Sequence, residues 1–270
     1  MILQQLLGPF PAARFLEQHY FRLPHSRPGG AAEFVPLGSW QVVDAILGDA
    51  TSDAWLARKG ERFAGPRPTP GQARTLHADG WTLVIRDAQK HHPRLATLAA
   101  DFAADFSAPV NIHLYCTPAS QHGFNWHYDV EDVFILQCAG AKAYRLRKNT
   151  VNPWPVLESM PKDLRYEREV TPTMECALRA GDWLYIPAGW WHVAPAEEDS
   201  ISLAVGMMSP TVLEVLDFLR ARAPHSVVWR QRLPAPEASA ALFAELGKDL
   251  ARELADPAFT RAFIEHRRPR

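Results

Sequence analysis

His127 and Asp129 stand two residues apart at the head of the stretch HYDVEDVFILQCAG, just before a long apolar run. Side chains two apart on a β-strand share a face, so this pair points one way if the strand has begun by then. An imidazole nitrogen and a carboxylate oxygen on one rigid element are two ligands for a metal ion. Two ligands rarely suffice, and GDWLYIPAGWWH supplies a third. Its run DWLYI enters a turn at Pro187–Gly189, and His192 follows three residues after that glycine. No cysteine falls inside either stretch, which disfavours soft, thiolate-bound metals. A lone HxD pair is common and a lone PxGxxH is weak. The two in order, each joined to a β-rich run and 65 residues apart (192 − 127), make a much stronger signal. His113 and His122 lack this spacing.

Rigid elements must bring these residues together. The chain has 270 residues, 47 % of them apolar, which is enough for a sizeable core and excludes a disordered chain. The formal charge of −1, from 29 basic and 30 acidic residues, demands no polyanionic partner, so nucleic acid is not indicated. Cys116, Cys138 and Cys176 are odd in number and widely spaced, with no disulfide framework. MILQQLLGPFPAARF lacks the basic start of a signal peptide, and no apolar run approaches the roughly 18 residues of a membrane span. A cytoplasmic protein without a membrane segment is the expectation.

Three regions follow from the pattern. Residues 1–80 read as mainly helical, with FPAARFLEQHYF at helical spacing and a Ser39 cap before WQVVDAILG. KGERFAGPRPTPGQAR reads as a connection. Residues 81–210 change character: WTLVIRDA, VNIHLYCTP, DVFILQCAG, AKAYRLRK, DWLYIPAG and SISLAVGMM are short β-rich runs between turns, interrupted by one helix in HHPRLATLAADFAADF. Many short strands suggest a barrel or sandwich packed against the first region. Residues 211–270 return to helix in TVLEVLDFLRAR and ASAALFAELGKDLAREL, a region that covers the barrel or joins two copies in a homodimer.

The spacing Gly181, five residues, Pro187, one residue, Gly189, two residues, His192 is that of the second cupin motif. In a double-stranded β-helix the segments bearing the two motifs lie side by side. Two histidines and one carboxylate then hold one face of a metal and leave positions open, the arrangement of non-haem iron(II) oxygenases. HYDVEDVFILQCAGAKAYRL, with VNIHLYCTPASQHGFNW before it and GDWLYIPAGWWHVA after it, resembles the JmjC-type 2-oxoglutarate oxygenases. The resemblance is nearest to the ribosomal oxygenases, which hydroxylate ribosomal proteins, and extends weakly to FLEQHYFRLP. It implies a mainly β fold, a cupin or JmjC barrel flanked by helical regions. It also implies a dimerisation segment and a winged helix after the barrel, whereas the last 60 or so residues show little strand character.

The same resemblance implies 2-oxoglutarate as cosubstrate, chelating iron(II) at its keto-acid end and needing a cation at the other. Lys142, after the Gly140 turn, is the expected cation; Arg145 and Arg147 alternate with Tyr144 and Leu146 and face water. Asn111 and Ser202 are expected near the cosubstrate, with His113 where the family suggests tyrosine. Trp126, Trp190 and Trp191 bracket the ligands and are candidates for the wall of a substrate slot. Glu131 and Asp132 are candidates for binding a basic substrate group at its mouth. The leading expectation is an iron(II)- and 2-oxoglutarate-dependent dioxygenase that uses O2 to hydroxylate a side chain of a protein or peptide, with His127, Asp129 and His192 as its catalytic ligands. The alternatives are the same chemistry on a small molecule or RNA base, and a metal-binding cupin that does not use 2-oxoglutarate. Lys142 separates the last, which needs no buried cation.

Overall fold

The run VFILQC is apolar but for the buried Gln137 because both of its faces are covered. Phe134, Leu136 and Cys138 pack against helices, while Val133 and Ile135 turn toward a second sheet. A strand buried on one face alternates with polar residues; one buried on both has no reason to. The computed structural model describes residues 1–161, 164, 166–236 and 239–267, and divides into units at 1–209 and 210–270.

The described residues of the first unit form eleven strands: β1 (His25–Arg27), β2 (Asp53–Arg58), β3 (Glu61–Arg62), β4 (Thr82–Arg86), β5 (Val110–Thr117), β6 (Asp132–Ala139), β7 (Ala141–Arg147), β8 (Thr173–Arg179), β9 (Trp183–Ile186), β10 (Trp191–Val193) and β11 (Ser200–Met207). Eight form one sheet in the order β1-β9-β6-β11-β5-β4-β2-β3, and three form another in the order β10-β7-β8. Every pairing is antiparallel. A core of Val133, Ile135, Tyr144, Leu146, Leu184 and Ala204 joins residues of both sheets, so the small sheet covers the inner face of the large one in a cupin-like fold.

Helices α1 (Ile2–Leu7), α2 (Ala12–Gln18), α3 (Trp40–Gly48), α4 (Pro70–Ala78) and α5 (Pro93–Phe106) belong to the same unit. Phe15, Val43, Ile46, Leu98 and Phe102 from these helices share a buried cluster with the outer face of the large sheet. Ser39 caps α3 by accepting from the Val42 N–H at 3.4 Å. The first 80 residues are therefore not only helical. They also give β1, β2 and β3 to the large sheet, with Trp55 opposite Val84 on β4. These strands are too short and too close to Gly- and Pro-rich connections to show a period of their own.

The second unit holds α6 (Val212–Arg222), α7 (Ser239–Ala255) and α8 (Pro257–His266), and no strand occurs among its described residues. Phe218 of α6 packs edge-on to Phe259 of α8 at 5.4 Å between ring centroids.

Candidate active site

The strand that was to carry the HxD pair begins only at Asp132, so His127 and Asp129 lie in the loop before β6. Long-range backbone bonds fix that loop instead. The His127 N–H donates to the His192 carbonyl at 3.1 Å, and the His192 N–H donates back at 2.7 Å. This is one isolated antiparallel pair, and residues directly opposite in such a pair project to the same side. The Gly189 N–H adds a bond to the Asp129 carbonyl at 2.8 Å. Gly189 itself has φ +80, and a Cβ there would stand 2.8 Å from Pro155 Cδ, so the turn requires glycine.

The two imidazole centroids are 4.2 Å apart. His127 Nδ1 lies 2.7 Å from the Asn125 carbonyl and His192 Nδ1 lies 3.0 Å from the Trp190 carbonyl. A carbonyl only accepts, so each Nδ1 carries the proton and each Nε2 keeps a lone pair. Asp129 Oδ2 is 3.6 Å from His192 Nε2, and one ligand atom from each residue lies within 4.8 Å of the others. Burial, then His127, holds the His192 pKa well below the usual range, which keeps it a neutral donor. The donor set is two imidazoles and a carboxylate. Cys116, Cys138 and Cys176 are free and stand outside it. Among the described residues this set fits a non-haem iron(II) ion.

The three ligands line a cavity of about 440 Å³. Lys142 lines it too, only 5 % exposed, on the inward face of β7 with Tyr144 and Leu146. Gly140 makes the preceding turn at φ +61, where a Cβ would run into the Asp199 carbonyl oxygen. Lys142 Nζ donates to Ser202 Oγ at 3.4 Å and stands 5.8 Å above the Tyr115 ring. Ser202 also hydrogen-bonds the Tyr144 phenol. Burial pulls the Lys142 pKa down to about 8. No carboxylate pairs with this ammonium among the described residues, and a buried cation without a counter-charge is costly. Leu146 lies opposite His192 in the strand register, and Lys142 is four residues along from Leu146, roughly 13 Å of strand.

Asn111 and Glu131 sit elsewhere on the wall, with Asn111 Nδ2 donating to Glu131 Oε1 at 2.6 Å. Burial raises the Glu131 pKa against the opposing Asn111 bond. Asp132 is not at the mouth. It is 1 % exposed, on the opposite side of the strand from Glu131, and accepts from Tyr185 Oη at 2.5 Å and from the Ala188 N–H at 3.3 Å. It anchors the turn that leads to His192. Asp132→Ala is expected to lower the unfolding free energy by about 3 kcal/mol, because each buried donor left unpaired costs roughly 1–3 kcal/mol. Denaturant melts showing a loss under about 0.5 kcal/mol, the range of ordinary surface changes, would show the anchor to be idle.

None of the three tryptophans lines the cavity. Trp191 is buried, donating from Nε1 to Glu169 Oε1 at 2.7 Å. Trp190 belongs to the core between the sheets, and Trp126 stacks on Tyr166 at 4.0 Å. The aromatic wall comes instead from Trp55, Tyr115, Phe124 and Tyr144. Strand alternation puts Tyr115 on the same face of β5 as Asn111; Trp55 and Phe124 carry no spacing that reveals them.

A family model, the JmjC domain, matches residues 86–215. The bifunctional lysine-specific demethylase and histidyl-hydroxylase NO66 of Drosophila persimilis is 28% identical over 221 residues, covering 75% of this chain and 31% of its own. Ribosomal oxygenase 1 of Gallus gallus is 27% identical over 252 residues, covering 85% and 41%. The chain thus spans less than half the length of these curated relatives. Among solved structures, E. coli YcfD superposes with a TM-score of 0.66 at 20% identity, covering 94% of this chain and 70% of that one. The same E. coli ribosomal oxygenase, in complex with cobalt and 2-oxoglutarate, superposes with a TM-score of 0.60 at 19% identity, covering 93% and 68%. The chain thus carries a JmjC-domain match over residues 86–215, is similar in sequence to the NO66 and ribosomal oxygenase relatives, and shares its fold with the E. coli YcfD structures.

Proposed function

We propose that this chain is an iron(II)- and 2-oxoglutarate-dependent oxygenase that hydroxylates a side chain of a protein or peptide. One observation carries the reading: a two-histidine, one-carboxylate group and a buried lysine without a carboxylate partner share one cavity. A small dianion satisfies both ends, since it can chelate a metal with one end and neutralise an ammonium with the other. His127, Asp129 and His192 hold the metal. Lys142, supported by Ser202 and Tyr144, holds the far carboxylate by a charge-assisted hydrogen bond. Iron(II) bound there supplies the oxidative chemistry that imidazole and carboxylate lack. In the overall reaction, 2-oxoglutarate and O2 become succinate and CO2 while a C–H bond becomes C–OH. The apolar wall of Val133, Ile135 and Ala204 keeps water from the reacting end.

The protein substrate is supported by the named activities of the relatives, a histidyl-hydroxylase and ribosomal oxygenases. No helix among the described residues is long and apolar enough to cross a membrane. A metal-binding cupin without 2-oxoglutarate is disfavoured by the burial of Lys142. Incubation with iron(II), 2-oxoglutarate and cell extract, followed by mass spectrometry, is expected to show succinate formation and protein peptides heavier by one oxygen atom. If iron(II) and 2-oxoglutarate give no succinate with any extract, the oxygenase reading fails. Products confined to metabolites or RNA would move the substrate class and keep the chemistry.

A further inference from the structure

A second cavity, of about 610 Å³, opens beside the turn that leads to His192 and shares no described lining residue with the metal cavity. Three segments build it: residues 21–23 after α2, residues from 148–154 after β7, and residues 188–190 of the turn. Buried bonds hold these walls in place. The Phe21 N–H donates to Tyr185 Oη at 2.9 Å, and Tyr185 Oη and the Ala188 N–H both donate to Asp132. One carboxylate thus ties two of the segments together. Phe21 sits at φ +62, a left-handed conformation that is uncommon for a bulky aromatic residue and persists only where its surroundings enforce it. Asn149 fixes the third segment, its Oδ1 accepting from the Val151 N–H at 3.1 Å and the Asn152 N–H at 2.7 Å. That segment also meets the turn, since a Cβ on Gly189 would stand 3.0 Å from the Pro153 carbonyl oxygen.

The lining is one-sided in charge. Arg22 and Lys148 are exposed cations, and no acid lines the cavity among the described residues. Arg22 donates only to the Leu16 and Tyr20 carbonyls, bonds that leave its charge unneutralised. Asn149 is 2 % exposed, and its buried Nδ2 has no acceptor among the described residues. The remaining wall is apolar and aromatic, and Trp154 stands in it 70 % exposed. Two cations and a spare N–H suit a dianion such as a phosphate monoester better than a single carboxylate. An open indole suits a flat ring, and every nucleobase has a face that stacks on one. The volume is in the range of small-ligand sites. A formal charge of −1 for the whole chain does not oppose this, because a total says nothing of where the cations gather.

We propose that this second cavity is a nucleotide site, in which a base stacks on Trp154 while Arg22, Lys148 and the Asn149 amide hold its phosphate. The site stands apart from the oxygenase chemistry, which it neither needs nor supplies. A phosphate oxygen gives the Asn149 N–H the acceptor it lacks, and the two cations gain the counter-charge that the lining does not provide.

The test is calorimetry on the full chain with adenosine 5′-monophosphate, adenosine and inorganic phosphate. The monophosphate is expected to bind at least about tenfold more tightly than either part alone, since stacking and charge act together. Trp154→Ala is expected to weaken it by about 5- to 100-fold, the worth of one stacked base. Arg22→Gln combined with Lys148→Gln is expected to weaken it at least about tenfold and to flatten its salt dependence. These side chains are exposed, so the melting curves of the variants should match that of the wild type. A short oligoadenylate bound more tightly than the monophosphate assigns the nucleotide to an RNA strand; equal or weaker binding assigns it to a free nucleotide, and both support the site. Binding of the monophosphate no tighter than that of adenosine or phosphate, or full affinity in Trp154→Ala, would overturn it. Tighter binding of a short peptide of aspartate and tryptophan would overturn it too, in favour of an acidic protein partner. Lys142→Ala is titrated in parallel: unchanged affinity supports the second cavity, whereas loss in a folded variant places the phosphate in the metal cavity and overturns the proposal.

Discussion

His127→Ala, Asp129→Ala and His192→Ala are each expected to lower 2-oxoglutarate-dependent turnover by roughly 1,000-fold or more. A metal's polarisation of its ligands is worth several kcal/mol, and each 1.36 kcal/mol is a factor of ten. The group offers no spare donor: each histidine spends Nδ1 on a backbone carbonyl, leaving one nitrogen for the ion. Iron content should fall with turnover, which plasma emission on the purified variants measures. The fold should survive, because the backbone bonds between His127 and His192 do not depend on either side chain. Any one variant that keeps near-normal iron and near-normal turnover would remove that residue from the ligand set.

Lys142→Ala is expected to weaken 2-oxoglutarate binding by roughly 10- to 100-fold, the worth of a buried charge-assisted bond, and to weaken iron binding far less. The effect has a pH signature. Burial holds the Lys142 pKa near 8, below its ordinary 10.5. Below pH 8 the free protein already carries the ammonium, so affinity is flat. Above it, each pH unit costs up to about tenfold, because the anion must first recharge the lysine. Stability follows the opposite course. The unfolded lysine binds its proton more tightly than the folded one, so the penalty of the buried charge is full below pH 8 and fades as pH rises to 10.5. Lys142→Met is therefore expected to melt higher than wild type at pH 7, with the gap closing over that window. Titration of 2-oxoglutarate from pH 7 to 9.5 decides the first point; an unsloped wild-type curve would assign the cation's role elsewhere.

The chemistry was legible in the sequence because metal ligands are few in type and strict in spacing, and because an inward lysine next to a glycine turn is unusual. The boundary of β6 was not. His127 and Asp129 lie in a loop whose register is set by His192 and Gly189, about sixty residues away, and periodicity carries no information over that distance. Sequence neighbours also mislead where backbone is extended, since adjacent side chains point to opposite sides. Glu131 enters the cavity while Asp132 is buried on the helix side. His192 reaches the metal group while Trp191 turns to Glu169. Trp55 reaches the wall from a strand too short to announce itself.

The position of β11 has a bearing on how this chain folds. It follows both of its partners in sequence yet lies in the middle of the large sheet, paired along its length to β5 on one side and β6 on the other. Its partners precede it by some 60 to 100 residues, so these pairings carry a large loop-closure cost before they return any stability. Until residues 200–207 leave the ribosome, the sheet exists only as two halves, β1-β9-β6 and β5-β4-β2-β3, each with a long unsatisfied strand at its inner border. Such borders are templates for pairing with other chains. Closure of the large sheet thus waits for β11, and a nascent chain stalled before Ser200 presents both of these unpaired strand edges.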